Sequence, residues 1–175
     1  TVAIDASAVT GLASDDIEDI KTLLNDATDA NQFANGSFEN LATIVVADTS
    51  LSGSDLADAI DDANSLTGTT DTVFTITAVD TITGSEANFT DLLDDETAEQ
   101  ISITDQDLTV NDGEISVTNA NLLNGTTTGT VTATIDAGTR VDDLKTLNGS
   151  NAYTITIDNA DATGSTATEF NTINS

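Results

Sequence analysis

Carboxylates are the only side chains in this sequence whose number and spacing suggest chemistry. The chain of 175 residues carries 31 aspartates and glutamates against three basic residues, and it contains no histidine and no cysteine. The common Ser–His and Cys–His catalytic pairs and the nitrogen or thiolate ligands of zinc sites are therefore excluded. What remains is oxygen chemistry, and carboxylate oxygens are the ligands that Ca²⁺ prefers.

The densest group of candidate metal ligands lies in a turn-rich stretch between two predicted strands, and it comprises Asp105, Asp107, Asp112 and Glu114. A second group, Asp158 and Asp161, follows the last predicted strand. Neither group has the spacing of an EF-hand loop or of a glycine-rich calcium repeat. The expectation of bound calcium therefore depends on the local density of carboxylates, and solvated loop acids are the alternative interpretation.

A pair of carboxylates can also catalyse glycoside hydrolysis. Sites that cleave sugars usually add aromatic platforms, and this chain has only five Phe, one Tyr and no Trp. With so many carboxylates, some pair falls at a suitable distance by chance, and a site requires mutual geometry as well as presence. We therefore expect a non-enzymatic protein.

The formal net charge of −28 limits the partners of the chain. Nucleic acids and anionic membrane surfaces would be repelled, and no apolar run approaches the roughly 20 residues of a membrane span. The same charge destabilises a compact state unless ions screen it or bind to it. Because the chain cannot form a disulfide, bound calcium is expected to stabilise the fold of an extracellular chain.

Two short phrases recur along the sequence and predict its elements. In the first, Gly is followed by apolar residues at the seventh and tenth positions, as from Gly11 to Ile20 and from Gly138 to Leu147. Apolar residues three or four apart form one stripe of a short helix, and Gly is expected to mark the turn before it. In the second phrase, Leu-x-Gly closes the helix with a Gly turn, as at Gly68, Gly125 and Gly149.

Alternating apolar and Thr residues predict strands at Val73–Thr77, Val131–Ile135 and Tyr153–Ile157. Further short strands are predicted at Thr43–Val46, Ile101–Ile103 and Ile115–Val117. The sequence thus predicts a β-rich, solenoid-like repeat with short helices between strands, and a two-layer α+β domain is the alternative. The approximate units are 1–42, 43–72, 73–100, 101–130, 131–152 and 153–175, and both ends cut the pattern in mid-phrase, as in an excerpt of a longer chain.

Two stretches carry a resemblance to a known family. They are NLLNGTTTGTVTATI, from Asn121 to Ile135, and DDLKTLNG, from Asp142 to Gly149. This style resembles the repeat regions of giant cyanobacterial cell-surface proteins, including the type linked to swimming in marine Synechococcus. The resemblance is best from Gly113 to Ser175. It implies a secreted or cell-surface location and a structural, adhesive or motility-linked role, and it brings no catalytic residues.

The sequence therefore predicts a non-enzymatic structural repeat module of a large extracellular or cell-surface protein. Such a module is expected to assemble into a fibre or layer and to be stabilised by calcium. Its expected partners are copies of itself or neighbouring repeats, with no nucleic acid and no membrane insertion. The alternative is a calcium-dependent adhesin or binding module whose candidate partner is a surface glycan.

Overall fold

The computed structural model of the chain describes residues 9–27, 38–68, 72–157, 165–166, 168–169 and 173. Strands and helices alternate along most of this length. The strands are β1 (Gly11–Asp15), β2 (Thr43–Val46), β3 (Ser50–Ser52), β4 (Val73–Thr75), β5 (Thr81–Ser85), β6 (Asp107–Asp112), β7 (Val131–Thr134) and β8 (Ala152–Thr154). The helices are α1 (Ile17–Ala27), α2 (Gly53–Thr67), α3 (Glu86–Thr97), α4 (Val117–Thr126) and α5 (Val141–Leu144).

The chain forms two compact units. Unit 1 comprises Thr1–Ile82 and Ala87–Ile103, and unit 2 comprises Thr83–Glu86 and Thr104–Ser175. Strand β5 and helix α3 each contribute residues to both units, so the division does not follow the borders of the elements.

Unit 1 contains a parallel sheet with the strand order β1-β2-β4. Ile44 in the central strand lies opposite Leu12 on one side and Phe74 on the other. Helices α1 and α2 pack against each other, and their apolar stripes are buried with the inner residues of the sheet. In α2 the stripe follows the spacing of i, i+4 and i+7 through Leu56, Ile60 and Ala63, as expected for a helix with one core-facing side.

Unit 2 contains β6, β7 and β8 as neighbouring parallel strands in that order. Leu108 lies opposite Val131, and Ala133 lies opposite Tyr153. In β7 the side chains alternate between buried and more exposed positions, with threonines at the outer ones. A single bridge between Ile115 and Ile135 lies beyond the paired residues of β7, and both isoleucines are buried.

The predicted β-rich solenoid is wrong. Both sheets are parallel and are flanked by helices, so the chain is an α/β protein, and parallel pairing distinguishes it from an α+β domain as well. The error arose from the helices: α2 has 15 residues and α3 has 12, whereas the strands have between 3 and 6. Because acidic residues lie within these helices, the apolar pattern of the sequence did not indicate how long the helices are.

The recurring phrases occupy different local structures from place to place. The Gly that opens the first phrase lies in a turn at Gly138, where φ is 81°, but Gly11 lies within β1. The closing Gly is confirmed as a helix cap at Gly68, whose φ is 69° and whose N–H donates to the Asn64 carbonyl at 2.8 Å. Gly125 instead lies inside α4.

Four of the six predicted strands are confirmed in whole or in part, as β2, β4, β7 and β8. The prediction at Ile115–Val117 is wrong beyond the Ile115 bridge, because Val117 begins α4. No strand is formed at residues 101–103. Strand β6 was missed, because its ends are acidic and only Leu108 and Val110 in its middle are buried.

Candidate functional site

The four predicted calcium ligands of unit 2 are all exposed and are separated by β6. Asp107 begins this strand and Asp112 ends it, so a rise of about 3.3 Å per residue places them roughly 16 Å apart. Calcium contacts its ligand oxygens at about 2.3–2.6 Å, so one ion cannot reach both ends of the strand. The structure therefore does not bring Asp107 and Asp112 together around one ion.

Two of these carboxylates bind backbone groups next to β7. Oδ1 of Asp107 accepts a hydrogen bond from the N–H of Thr130 at 2.6 Å, and Oε2 of Glu114 accepts one from the N–H of Ala137 at 2.8 Å. Oδ1 of Asp105 accepts from the side-chain amide of Gln106 at 3.2 Å. Calcium binding at either pair stays a prediction. Asp158 and Asp161, the second predicted group, lie outside the described residues.

The closest set of carboxylates in the described part of the chain is one that sequence reasoning missed. Asp15 at the end of β1, Asp16 after it and Asp19 in the first turn of α1 are exposed, and their carboxylate oxygens lie within 4.8 Å of one another. This spacing fits a shared divalent cation with oxygen ligands. In the sequence these acids belong to the first recurring phrase, from Gly11 to Ile20. A signal was present, since Asp16 lies just before the predicted helix and Asp19 lies three residues further on, in its first turn.

The acids of this cluster, which we call the Asp15 cluster (Asp15, Asp16 and Asp19), are also ordered by the backbone. Oδ1 of Asp15 accepts from the N–H of Asp16, and Oδ1 of Asp16 accepts from the N–H of Asp19, both at 3.0 Å. The carbonyl of Asp16 accepts from the N–H of Ile20 at 3.1 Å, so Asp16 acts as the N-cap of α1. The N-terminus of a helix favours negative charge, which helps hold the three carboxylates together.

A second acidic neighbourhood lies at the end of α3 in unit 1. Burial, together with the nearby carboxylates of Asp61, Asp91 and Asp94, raises the pKa of Asp95 to about 6. The C-terminal position on α3 also opposes a negative charge. Asp95 therefore disfavours the folded state when it is ionised.

We expect Asp95→Asn to stabilise the protein above pH 6. The folded pKa of about 6 exceeds the unperturbed value of 3.8, so the folded state binds the extra proton between these values. Stability of the wild type therefore falls as pH rises from 3.8 to 6 and then stays level with respect to this group. Urea unfolding at pH values of about 7.5, 5 and 3.5 measures the effect.

The advantage of the Asn variant should be largest at the highest of these pH values, smaller at the middle one and absent at the lowest, where Asp95 is mostly neutral in both states. Asp105→Asn, which removes the same charge at an exposed position, is the control. An advantage of Asp95→Asn that is equal at all three pH values would contradict a raised pKa of Asp95 in the folded state.

Comparison of the chain with protein-family models, with curated proteins and with solved structures finds no match. Across the described residues, none of the helices combines the length and the apolar character needed to cross a bilayer.

Proposed function

We propose that this chain is a non-enzymatic structural module of a large extracellular or cell-surface protein. Its partners are copies of itself or neighbouring modules, and calcium stabilises it. The observation that carries the proposal is the use of its buried polar side chains. These side chains bind the chain's own backbone and each other, as the scaffold of a structural element requires.

In unit 1 the polar contacts connect segments that are far apart in sequence. Gln100, which is 2% exposed, and Asn64 of α2 exchange two amide hydrogen bonds, at 2.6 and 3.3 Å. The buried hydroxyl of Thr72 donates to the carbonyl of Leu41 at 2.7 Å. Because a buried polar group without a partner is costly, these bonds specify how the segments pack.

In unit 2 the half-buried side chains of Asn121, Asn124 and Asn151 also connect segments. Asn121 donates to the carbonyl of Thr146 at 2.9 Å and accepts from the N–H of Asn148 at 2.8 Å. Asn151 donates to Oδ1 of Asn124 at 2.7 Å and accepts from the N–H of Val131 at 2.8 Å. The Leu-Asn-Gly phrases thus contribute groups that connect one segment to the next, which supports a structural role for these recurring residues.

Calcium and self-association are connected in this proposal through charge. A surface with a net charge of −28 repels a second copy of itself. Divalent cations bound between carboxylates remove that repulsion at the points where they bind, whereas monovalent salt only screens it. The Asp15 cluster is the part of the described surface where three carboxylates already converge.

The size of the native material tests the structural role. We expect an antibody raised against these residues to detect, at the cell surface, either a polypeptide much longer than 175 residues or a polymer. The polymer should dissociate when calcium is chelated. Detection of a stable 175-residue monomer, or of material confined to the cell interior, would refute the proposal.

A further inference from the structure

Unit 2 contains a cleft of about 320 Å³ that the structural role does not use. Its walls come from the start of α4, from the loop between β7 and α5, and from α5 itself. The polar residues that line it include Ser116, Thr118, Asp136, Thr139, Arg140 and Asp143. The volume lies at the lower end of the range for small-molecule sites, so it suits a ligand the size of one or two sugar rings.

Among the described residues, the cation of this cleft differs from Lys21 and Lys145 in forming no ion pair. Lys21 pairs with Asp55 at 2.6 Å, and Lys145 pairs with Asp142 at 2.6 Å and with Glu169 at 3.3 Å. Arg140 is the remaining cation of the sequence, and its guanidinium forms no ion pair or hydrogen bond with any described residue. Its charge contributes, after that of Lys145, to the lowered pKa of Asp142, but no described carboxylate lies within ion-pair distance of the guanidinium.

The acceptors of the cleft are also available. The carboxylates of Asp136 and Asp143 form no side-chain hydrogen bond with the residues that the structure describes. The hydroxyl of Thr139 donates to the carbonyl of Asp136 at 2.6 Å and keeps its acceptor capacity. Oγ of Ser116 accepts from the N–H of Asn119 at 3.1 Å and keeps its proton. The cleft therefore presents guanidinium donors, carboxylate acceptors and hydroxyls that can do either.

The charges of the cleft exclude two classes of ligand. An anion would meet Asp136 and Asp143, and burial with the nearby Glu86 and Glu114 raises the pKa of Asp136, which shows a locally negative environment. The N-terminus of α4 is already occupied by Oε1 of Glu86, which accepts from Ser116 N–H and Asn119 Nδ2 at 3.4 and 2.7 Å. A metal ion would instead be repelled by Arg140.

We propose that this cleft binds a neutral saccharide. A vicinal pair of sugar hydroxyls matches the lining. Each hydroxyl oxygen can accept a hydrogen bond from the guanidinium while its O–H donates one to a carboxylate. No net charge has to be brought toward a protein that carries −28. The described lining has no aromatic platform, so the affinity for a single sugar is low, with a dissociation constant on the order of 1 mM.

Titration of the ¹⁵N-labelled chain with four methyl glycosides tests the proposal: those of glucose, galactose, mannose and N-acetylglucosamine. We expect at least one of them to shift the backbone amide signals of residues 116–118 and 136–146 in a saturable manner. Arg140→Gln removes the guanidinium but keeps much of the side chain, and it should weaken binding by about tenfold to a hundredfold. Asp136→Asn is the second variant and should weaken binding as well.

Lys145→Gln is the matched control, since it removes the same amount of charge from the same unit of the protein, and it should leave the affinity unchanged. Amide spectra of all variants should show the fold retained. The proposal is overturned if none of the four glycosides shifts the cleft signals at saturating excess, or if Arg140→Gln binds as the wild type does. Shifts caused by alanine as a free zwitterion, but by no glycoside, would overturn the ligand class. The structural role is tested separately by the size of the native material, so the outcome of this titration does not decide it.

Discussion

Replacement of Phe74 by alanine is expected to destabilise the protein by about 3–5 kcal/mol. Phe74 lies in β4, is 1% exposed, and faces the interior of unit 1 opposite Ile44 of the neighbouring strand. Its removal leaves a cavity among side chains that cannot fully close it. The free energy of unfolding in urea, followed by circular dichroism, measures the loss, which is large beside the roughly 5–15 kcal/mol of a typical domain.

Val73 provides a control from the same strand. It is 40% exposed, so Val73→Ala should change the free energy of unfolding by less than about 1 kcal/mol. The contrast tests the register of the parallel sheet, because a shift of β4 by one residue would bury Val73 and expose Phe74. Equal losses for the two variants would be inconsistent with the strand pairing described here.

Calcium is expected to raise stability in a way that monovalent salt cannot match. A bound ion stabilises the folded state by RT ln(1 + [L]/Kd), which is about 2.7 kcal/mol when free calcium is about 100 times Kd. With an extracellular-type Kd of roughly 0.1 mM, about 10 mM calcium meets this condition. For a chain of this size the melting temperature should then rise by about 5–10 °C relative to NaCl of the same ionic strength.

The site is identified by two sets of substitutions with equal changes in charge. The triple variant Asp15→Asn, Asp16→Asn, Asp19→Asn should lose the calcium effect, while the amide oxygen introduced by Asp16→Asn can still cap α1. The matched variant Asp105→Asn, Asp112→Asn, Glu114→Gln, which changes separated acids, should keep it. Loss only in the second variant would place the ion on the ligands predicted from the sequence. Equal melting in calcium and in NaCl would leave the acidity as a matter of solubility.

The sequence was informative where apolar residues alternate strictly, and it misled where acids lie inside elements. Alternating apolar and Thr residues predicted β7, because one face of the strand must be buried. In α2, by contrast, Asp58, Asp61 and Asp62 lie among the buried residues Leu56, Ile60 and Ala63 and interrupt the apolar pattern of the sequence. Helix length and parallel pairing depend on tertiary packing, which local patterns do not reveal.

The candidate sites were harder to predict than the elements. Residue types suggested carboxylate chemistry, and the structure does contain a converging set, but in β1 and α1 instead of around β6. The density of carboxylates along the sequence was a misleading guide to a metal site, because an extended strand places Asp107 and Asp112 far from each other. The cleft at Arg140 gave no sequence signal, since its lining is assembled from segments that are far apart along the chain.

Strand β7 is restrained at both ends by side chains from other parts of unit 2. At its start, the Asp107 carboxylate accepts a hydrogen bond from the N–H of Thr130, and the Asn151 side chain accepts one from the N–H of Val131. Beyond its end, the Glu114 carboxylate accepts a hydrogen bond from the N–H of Ala137. Amide hydrogens at strand ends usually exchange with solvent through local fraying, which requires little free energy. Here fraying would also break bonds to Asp107, Glu114 and Asn151. Exchange of the amides of Thr130, Val131 and Ala137 therefore also costs the free energy of breaking these side-chain hydrogen bonds.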